Sequence, residues 1–215
     1  MKVDLKTVAY NYLKMAIING DLPENSPIRE TEISKSLEMS RSPIREAIRA
    51  LEIEGVVVSY PSRGAYVASL NPKDVHEICE LRSLFEIWAL ERAYQHFTFQ
   101  ELSEFEEKFT SAYFKFDWEA YHKTDQEFHR MIISKANCAR LAGFYDTLNL
   151  QCERLRRYCI MSPKRMQESY EEHLILLQSI RTSNLPLAKE QLKSHLTGVA
   201  EAIVKTCITL QSNGL

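Results

Sequence analysis

The sequence predicts a mainly α-helical protein in two parts, a winged helix-turn-helix followed by an all-α antiparallel bundle. Three observations predict it. Apolar residues recur at helical spacing along nearly the whole chain. That period gives way to β-branched and aromatic runs only once, between residues 56 and 68. The 215 residues include only six glycines, and they are rich in Leu, Glu, Lys, Ala and Ile, which favour helix. The expected division is 1–70 for the winged part and 71–215 for the bundle.

The elements follow in order. Leu5, Val8, Ala9, Tyr12, Leu13, Ala16 and Ile17 mark a first helix over 5–19, and Gly20 stops it. The stretch from Asp21 to Pro27 is turn-rich. A short second helix spans 29–37, with Thr31, Ile33, Ser34 and Leu37 on its inner side. Glu38-Met39-Ser40 turns into a third helix, which Ser40 or Ser42 can cap and Pro43 suits in its first turn. Gly55 ends it. Val56–Tyr60 and Gly64–Ala68 read as two strands joined at Pro61-Ser62-Arg63, a hairpin whose tip is the wing. Asn71-Pro72-Lys73-Asp74 links to helices expected near 74–95, 98–114, 117–135, 138–160, 163–182 and 184–211. Breaks fall at Thr98, Asp117, Asn137, Ser162-Pro163 and Asn184-Leu185-Pro186. A bundle of six or so antiparallel helices follows.

Composition excludes several classes. The formal net charge is −2. The first 70 residues hold nine basic and nine acidic side chains, so any hold on nucleic acid must come from how charge is placed on faces. The five cysteines are widely spaced and form no Cys-x-x-Cys pair, which speaks for reduced thiols rather than a zinc knuckle. The N-terminus has no apolar signal core and no run is long enough to span a bilayer, so a cytoplasmic protein without membrane contact is expected.

The third helix carries the first functional signal. Ile44, Ala47, Ile48 and Leu51 form one stripe, and Arg41, Arg45 and Arg49 form a second beside it. Such a row is more often a solvated face paired with Glu46, Glu52 and Glu54. The arginine-tipped hairpin favours DNA instead. Arg41, Arg45 and Arg49 could reach guanine edges or phosphates, Ser40 and Ser42 phosphates, and Arg63 the minor groove. Three segments carry a resemblance: Ile28–Ser34, Met39–Gly55 with its Ser-Arg-x-Pro-x-Arg-Glu-Ala core, and Pro61–Val67 with its Arg-Gly wing. Together they resemble the GntR family of bacterial transcription regulators. The resemblance implies operator contacts from Arg29, Arg41, Arg45, Arg49 and Gly64. Where that family usually has Gly, this chain has Asn25, which tolerates a left-handed turn.

The bundle carries the second signal. Asp125 and His129 stand one turn apart, and His173 and His195 each border an apolar stripe. A lone inward histidine is more often a hydrogen-bonded core residue than a ligand. Four inward polar groups on three helices need each other or a cation. Three His and one Asp suit a divalent transition metal such as zinc, nickel or manganese. Residues 74–211 also resemble the FCD effector domain of FadR-type GntR regulators, on Glu80–Glu86, Asp125-x-x-x-His129, Glu172-His173 and Leu192–Leu196. That resemblance implies one metal held by Asp125, His129, His173 and His195, with Arg82 engaging a ligand carboxylate. An intrahelical pair of Arg82 with Glu86 is an equal alternative.

The expected protein is therefore not an enzyme. It is a homodimeric repressor on double-stranded operator DNA, responsive to a small organic acid bound between the metal and Arg82. Coupling is expected through residues 68–76 and the first bundle helix. A helical metalloenzyme, or a regulator whose metal is purely structural, are the rival readings.

Overall fold

The computed structural model describes residues 4–156 and 163–212. Helix α1 (Leu5–Asn19) starts at Asp4, whose carboxylate accepts from the Lys6 N–H, and ends at Gly20. Helix α2 is Glu30–Ser36 and α3 is Arg41–Ile53. Strands β1 (Val57–Tyr60) and β2 (Gly64–Val67) pair antiparallel, Val57 opposite Val67 and Tyr60 opposite Gly64. The chain at 25–28 runs along the free edge of β2: the Ile28 N–H donates to the Ala65 carbonyl, and the Asn25 N–H to that of Val67. Asn25 holds the left-handed φ of 60° expected of it. The winged helix-turn-helix is present in the expected order.

The core of this half forms where Leu13 and Ile17 of α1 meet Ile44, Ala47, Ile48 and Leu51 of α3, with Val56, Val57 and Val67 from the hairpin below. Three local expectations fail. Leu5 and Tyr12 are exposed, because α1 faces α3 with a narrower stripe than its sequence offers. Thr31 is exposed, and only Ile33 of α2 is buried. Ser40 is the N-cap of α3, yet neither it nor Ser42 caps through a side-chain hydrogen bond.

The bundle comprises α4 (Pro72–Ala93), α5 (Phe99–Phe114), α6 (Trp118–Lys135), α7 (Ala139–Arg156), α8 (Pro163–Arg181) and α9 (Leu185–Ser212). Asn71 and Asp74 form a reciprocal capping box, which starts α4 two residues before the expected 74. Thr98 with Glu101 does the same for α5, and Asp117 caps α6. Phe105 and Phe109 of α5 pack on Phe128 of α6, and Leu176, Leu177, Leu192 and Leu196 close the same core from α8 and α9. The expected end of α7, at 160, lies outside the described residues. Cys152 is buried, Cys79 and Cys138 are half-buried, and none of the three is in a disulfide.

The two halves meet along α7, chiefly on its turn 150–154, and through Leu70, which shares a core with Val75, Leu148, Leu155 and Ile203. Leu150 enters the core of the winged half. Gln151 donates to the Glu54 carbonyl at 3.0 Å. Glu153 pairs with Lys14 at 3.2 Å. Arg154, buried, donates to the Ala68 carbonyl and lies 3.8 Å from Glu24, which in turn accepts from the Leu70 N–H. Gly55 serves this junction twice. Its φ of +72° suits glycine, and a Cβ there would stand 2.9 Å from Gln151 Nε2.

Leu150→Ala should lower the unfolding free energy by about 2–5 kcal/mol, the usual range for a buried leucine truncated to alanine. Chemical denaturation measures this. Limited proteolysis should then cut the 68–71 connection sooner than in the parent chain.

Candidate metal centre and nucleic-acid interface

Helix α3 buries its aliphatic stripe, and the arginine stripe faces solvent. Arg29, Ser40, Arg41, Ser42, Arg45, Arg49, Arg63 and Gly64 are all exposed. Successive arginines four residues apart are separated by ~6 Å along the helix, within reach of adjacent base steps. Arg45 is held by Glu30 at 2.8 Å and Arg29 by Glu32 at 3.2 Å. Both pairs are solvent-exposed, so they cost little to exchange for phosphate or base contacts. The wing turns at Ser62 (φ 62°) and Gly64 (φ 87°), and Tyr60 packs edge-on to Tyr66 behind it. Arg63 therefore projects at the tip of a braced hairpin.

The second site lies inside the bundle. Asp125 and His129 come from α6, His173 from α8 and His195 from α9, all buried. His76 and His96 are exposed and His122 half-buried, so burial separates the cluster histidines from the others. The potential ligand atoms of the four residues lie within 4.8 Å of one another. The Nε2 atoms of His173, His129 and His195 stand 3.3, 3.5 and 3.7 Å from Asp125 Oδ1. None of the three makes a hydrogen bond. Ligands bound at ~2.1 Å to one ion are separated by roughly 3.4 Å at a tetrahedral angle, so the observed spacings fit a shared cation.

The other ring nitrogens are all occupied. His129 Nδ1 lies 2.5 Å from Glu86 Oε2, His195 Nδ1 2.8 Å from Glu172 Oε2, and His173 Nδ1 2.7 Å from the Ser169 carbonyl. Acceptors at Nδ1 place the proton there, and the neutral rings then present lone pairs at Nε2. Phe109 stacks on His173 at 4.2 Å, and His129 stacks on His195 at 5.2 Å.

Arg82 lies on α4 beside this cluster, buried. Its Nε donates to Glu86 Oε1 at 2.7 Å, the intrahelical pair, while its Nη2 has no hydrogen-bond partner. Of the two readings of Arg82, the intrahelical pair is the one formed. Glu86, fully buried, also accepts from the Tyr145 hydroxyl of α7 at 2.8 Å. Burial alone would raise the Glu86 carboxyl, but Arg82 and His129 hold it at about 2. Burial likewise opposes the charged form of Asp125, and His129 and His173 outweigh it to hold the carboxylate well below its usual range. For His129 burial is outweighed by Glu86, and its value is raised. Burial and the neighbouring His173 push His195 down to about 3.

Four supporting residues were not singled out from sequence as part of the site: Glu86, Tyr145, Arg165 and Glu172. Glu86 and Glu172 carried a signal, one at i+4 from Arg82 and the other immediately before His173. Tyr145 and Arg165 come from distant sequence and carried none.

Comparison with known proteins gives a consistent picture. Residues 5–67 match the model described as "Bacterial regulatory proteins, gntR family", and residues 77–198 match the FCD domain. An HTH-type transcriptional regulator of Bacillus subtilis, YdhC, is 28% identical over 195 residues, covering 86% of this chain and 85% of that one. The gluconate operon transcriptional repressor of the same organism is 26% identical over 207 residues, covering 91% and 83%. The crystal structure of a GntR regulator from Rhodococcus sp. RHA1 superposes with a TM-score of 0.77 at 19% identity, covering 93% of this chain and 97% of that one.

The metal-free chain should lose stability as pH falls from 6.5 toward 3. Unfolded, His195 takes its proton near 6.5, and folded only at about 3. The unfolded state binds more protons in that window, so acid favours it. Glu86 adds to the loss between 4.5 and about 2. His129, protonated in both states there, does not offset it. Melting temperatures across this range check the sign; a flat profile from pH 6.5 to 4 would contradict it.

Proposed function

Because the chain belongs to the gntR family of bacterial regulatory proteins and carries an FCD domain, we propose that it is a homodimeric, metal-containing repressor released from operator DNA by a small carboxylate. It is a regulator of transcription and not an enzyme. In the proposed division, 1–70 read double-stranded operator DNA and 71–215 sense and dimerise. Two copies would place two α3 helices in successive major grooves of a near-palindromic site. Arg41, Arg45 and Arg49 would face base edges and phosphates, Arg29, Ser40 and Ser42 the backbone, and Arg63 with Gly64 the minor groove. Its place would be the cytoplasm, and among the described residues no helix is long and apolar enough to cross a membrane.

The observation that carries the sensing half is the convergence of three unpartnered Nε2 atoms on Asp125, beside an unpartnered guanidinium nitrogen of Arg82. Asp125, His129, His173 and His195 would hold zinc, nickel or manganese, which supplies a Lewis-acid position for an anion. A divalent ion there would add positive charge beside Arg82, which suits a small carboxylate as the ligand. Bidentate pairing makes Arg82 a suitable second contact for that carboxylate.

The connection to DNA would run through α4 and α7. Glu86 of α4 touches His129 on one side and Tyr145 of α7 on the other. One turn further on, Leu150, Gln151, Glu153 and Arg154 of α7 grip the winged half. The expected coupling elements, residues 68–76 and α4, would both lie on this path, with α7 added: Arg154 donates to the Ala68 carbonyl. Repression relieved by ligand is the favoured sign, and three relatives are named repressors. A purely structural metal is the second reading, favoured by its position joining α6, α8 and α9.

Two variants test the two halves. Arg45→Ala should lower affinity for the operator by at least about tenfold, the worth of one good base contact, with unchanged melting and oligomeric state. Equal affinity in gel-shift titration would remove Arg45 from the interface. His173→Ala should lower bound metal per chain in elemental analysis, and in the metal-loaded parent a panel of small carboxylates should release DNA. Release that persists unchanged after chelation would leave the metal only its structural role.

A further inference from the structure

The proposed metal reading uses the inner faces of the histidines and leaves their outer partners without a role. Those partners repeat one pattern. On α4, Arg82 donates from Nε to Glu86 Oε1, and Glu86 Oε2 meets His129 Nδ1 on α6. On α8, Arg165 grips Glu172 with two bonds, Nη1 to Oε1 at 2.9 Å and Nη2 to Oε2 at 2.7 Å, and Glu172 Oε2 meets His195 Nδ1 on α9. In each case a guanidinium fixes a carboxylate on its own helix, and the carboxylate fixes an imidazole on the next. Arg82 and Glu86 are one turn apart, Arg165 and Glu172 two turns, so each pair shares a helix face. The third ring, His173, has no carboxylate behind it: its Nδ1 meets the Ser169 carbonyl at 2.7 Å, one turn back on its own helix, and the Tyr121 hydroxyl at 3.2 Å.

We propose that Glu86 and Glu172 are positioning residues for the metal, each held by its arginine so that His129 and His195 keep the proton on Nδ1 and aim Nε2 at Asp125. The proposal rests on the metal reading above. Three features favour it over simple core satisfaction. A buried imidazole needs only one acceptor, and a carbonyl suffices, as His173 shows. A carboxylate there brings a charge that must itself be neutralised, and an arginine is supplied each time. The charge also has a use, since a carboxylate behind an imidazole makes the ring a stronger metal donor.

Glu172 is the better position to test, because it is partly exposed while Glu86 is fully buried among three partners. In the full-length chain, Glu172→Ala should weaken zinc binding by about 10- to 100-fold, measured against a chromophoric chelator with zinc alone. Glu172→Gln, which keeps an acceptor oxygen but no charge, should fall between the two. Nitrogen-15 shifts of the metal-free chain should show His195 as the Nδ1–H tautomer in the parent and as a tautomer mixture in Glu172→Ala. Glu172→Ala with the parent's zinc affinity overturns the proposal. So does weakened binding with the His195 tautomer unchanged, which would make Glu172 merely structural. A parent chain that takes up neither zinc, nickel nor manganese would instead overturn the metal reading, and this proposal with it.

Discussion

The bundle is organised around the cost of placing three imidazoles and a carboxylate where water does not reach. A buried polar atom left without a partner costs about 1–3 kcal/mol, and three Nε2 atoms here have none. The fold offsets this cost by giving the other nitrogen of each ring an acceptor. Glu86 accepts from three donors, Glu172 is gripped twice by Arg165, and Phe109 covers the face of His173. The three Nε2 atoms left over point inward to one spot. Phe109 and Phe128 pack against each other and against His173, which limits how that ring can turn.

The winged half follows a different logic. It has no excess of positive charge, with nine basic and nine acidic side chains in the first 70 residues. Its affinity for DNA depends on segregation. The aliphatic face of α3 locks the helix against α1 and leaves the arginine face no option but solvent. Glu30 and Glu32 hold Arg45 and Arg29 loosely in the meantime. An exposed ion pair is worth little in water, so these acids keep the free protein neutral without blocking the exchange to phosphate.

Most of this was legible before the fold was known, for identifiable reasons. Helix boundaries were readable where a cap is spelled in sequence, as at Thr98 and Asp117, and the Asp4 cap of α1 was not among them. The cluster was readable because a four-residue spacing and two histidines flanked by leucines declare a buried face. Burial sorted the six histidines where sequence only partly could, leaving His76 and His96 in solvent. The outer groups were harder. Tyr145 is an ordinary aromatic on an ordinary helix, and its bond to Glu86 joins residues 59 apart. Arg165 looks like a surface residue until α9 packs over it. Thr31 and Tyr12 went the other way: the helical period marked them as inward, and the neighbour that would have covered them is absent on that side.

Residues 150–154 of α7, where the winged half is gripped, bring one more consequence. They occupy a single turn, and the turn offers one aliphatic plug, one amide, one acid and one base to the partner surface. A junction so small is a plug-and-socket. It concentrates much of the grip in one place: a different winged half could be fitted to this bundle by matching that turn and the packing of Leu70 on Val75, Leu148 and Ile203, and the interior of the bundle would not need to be redrawn.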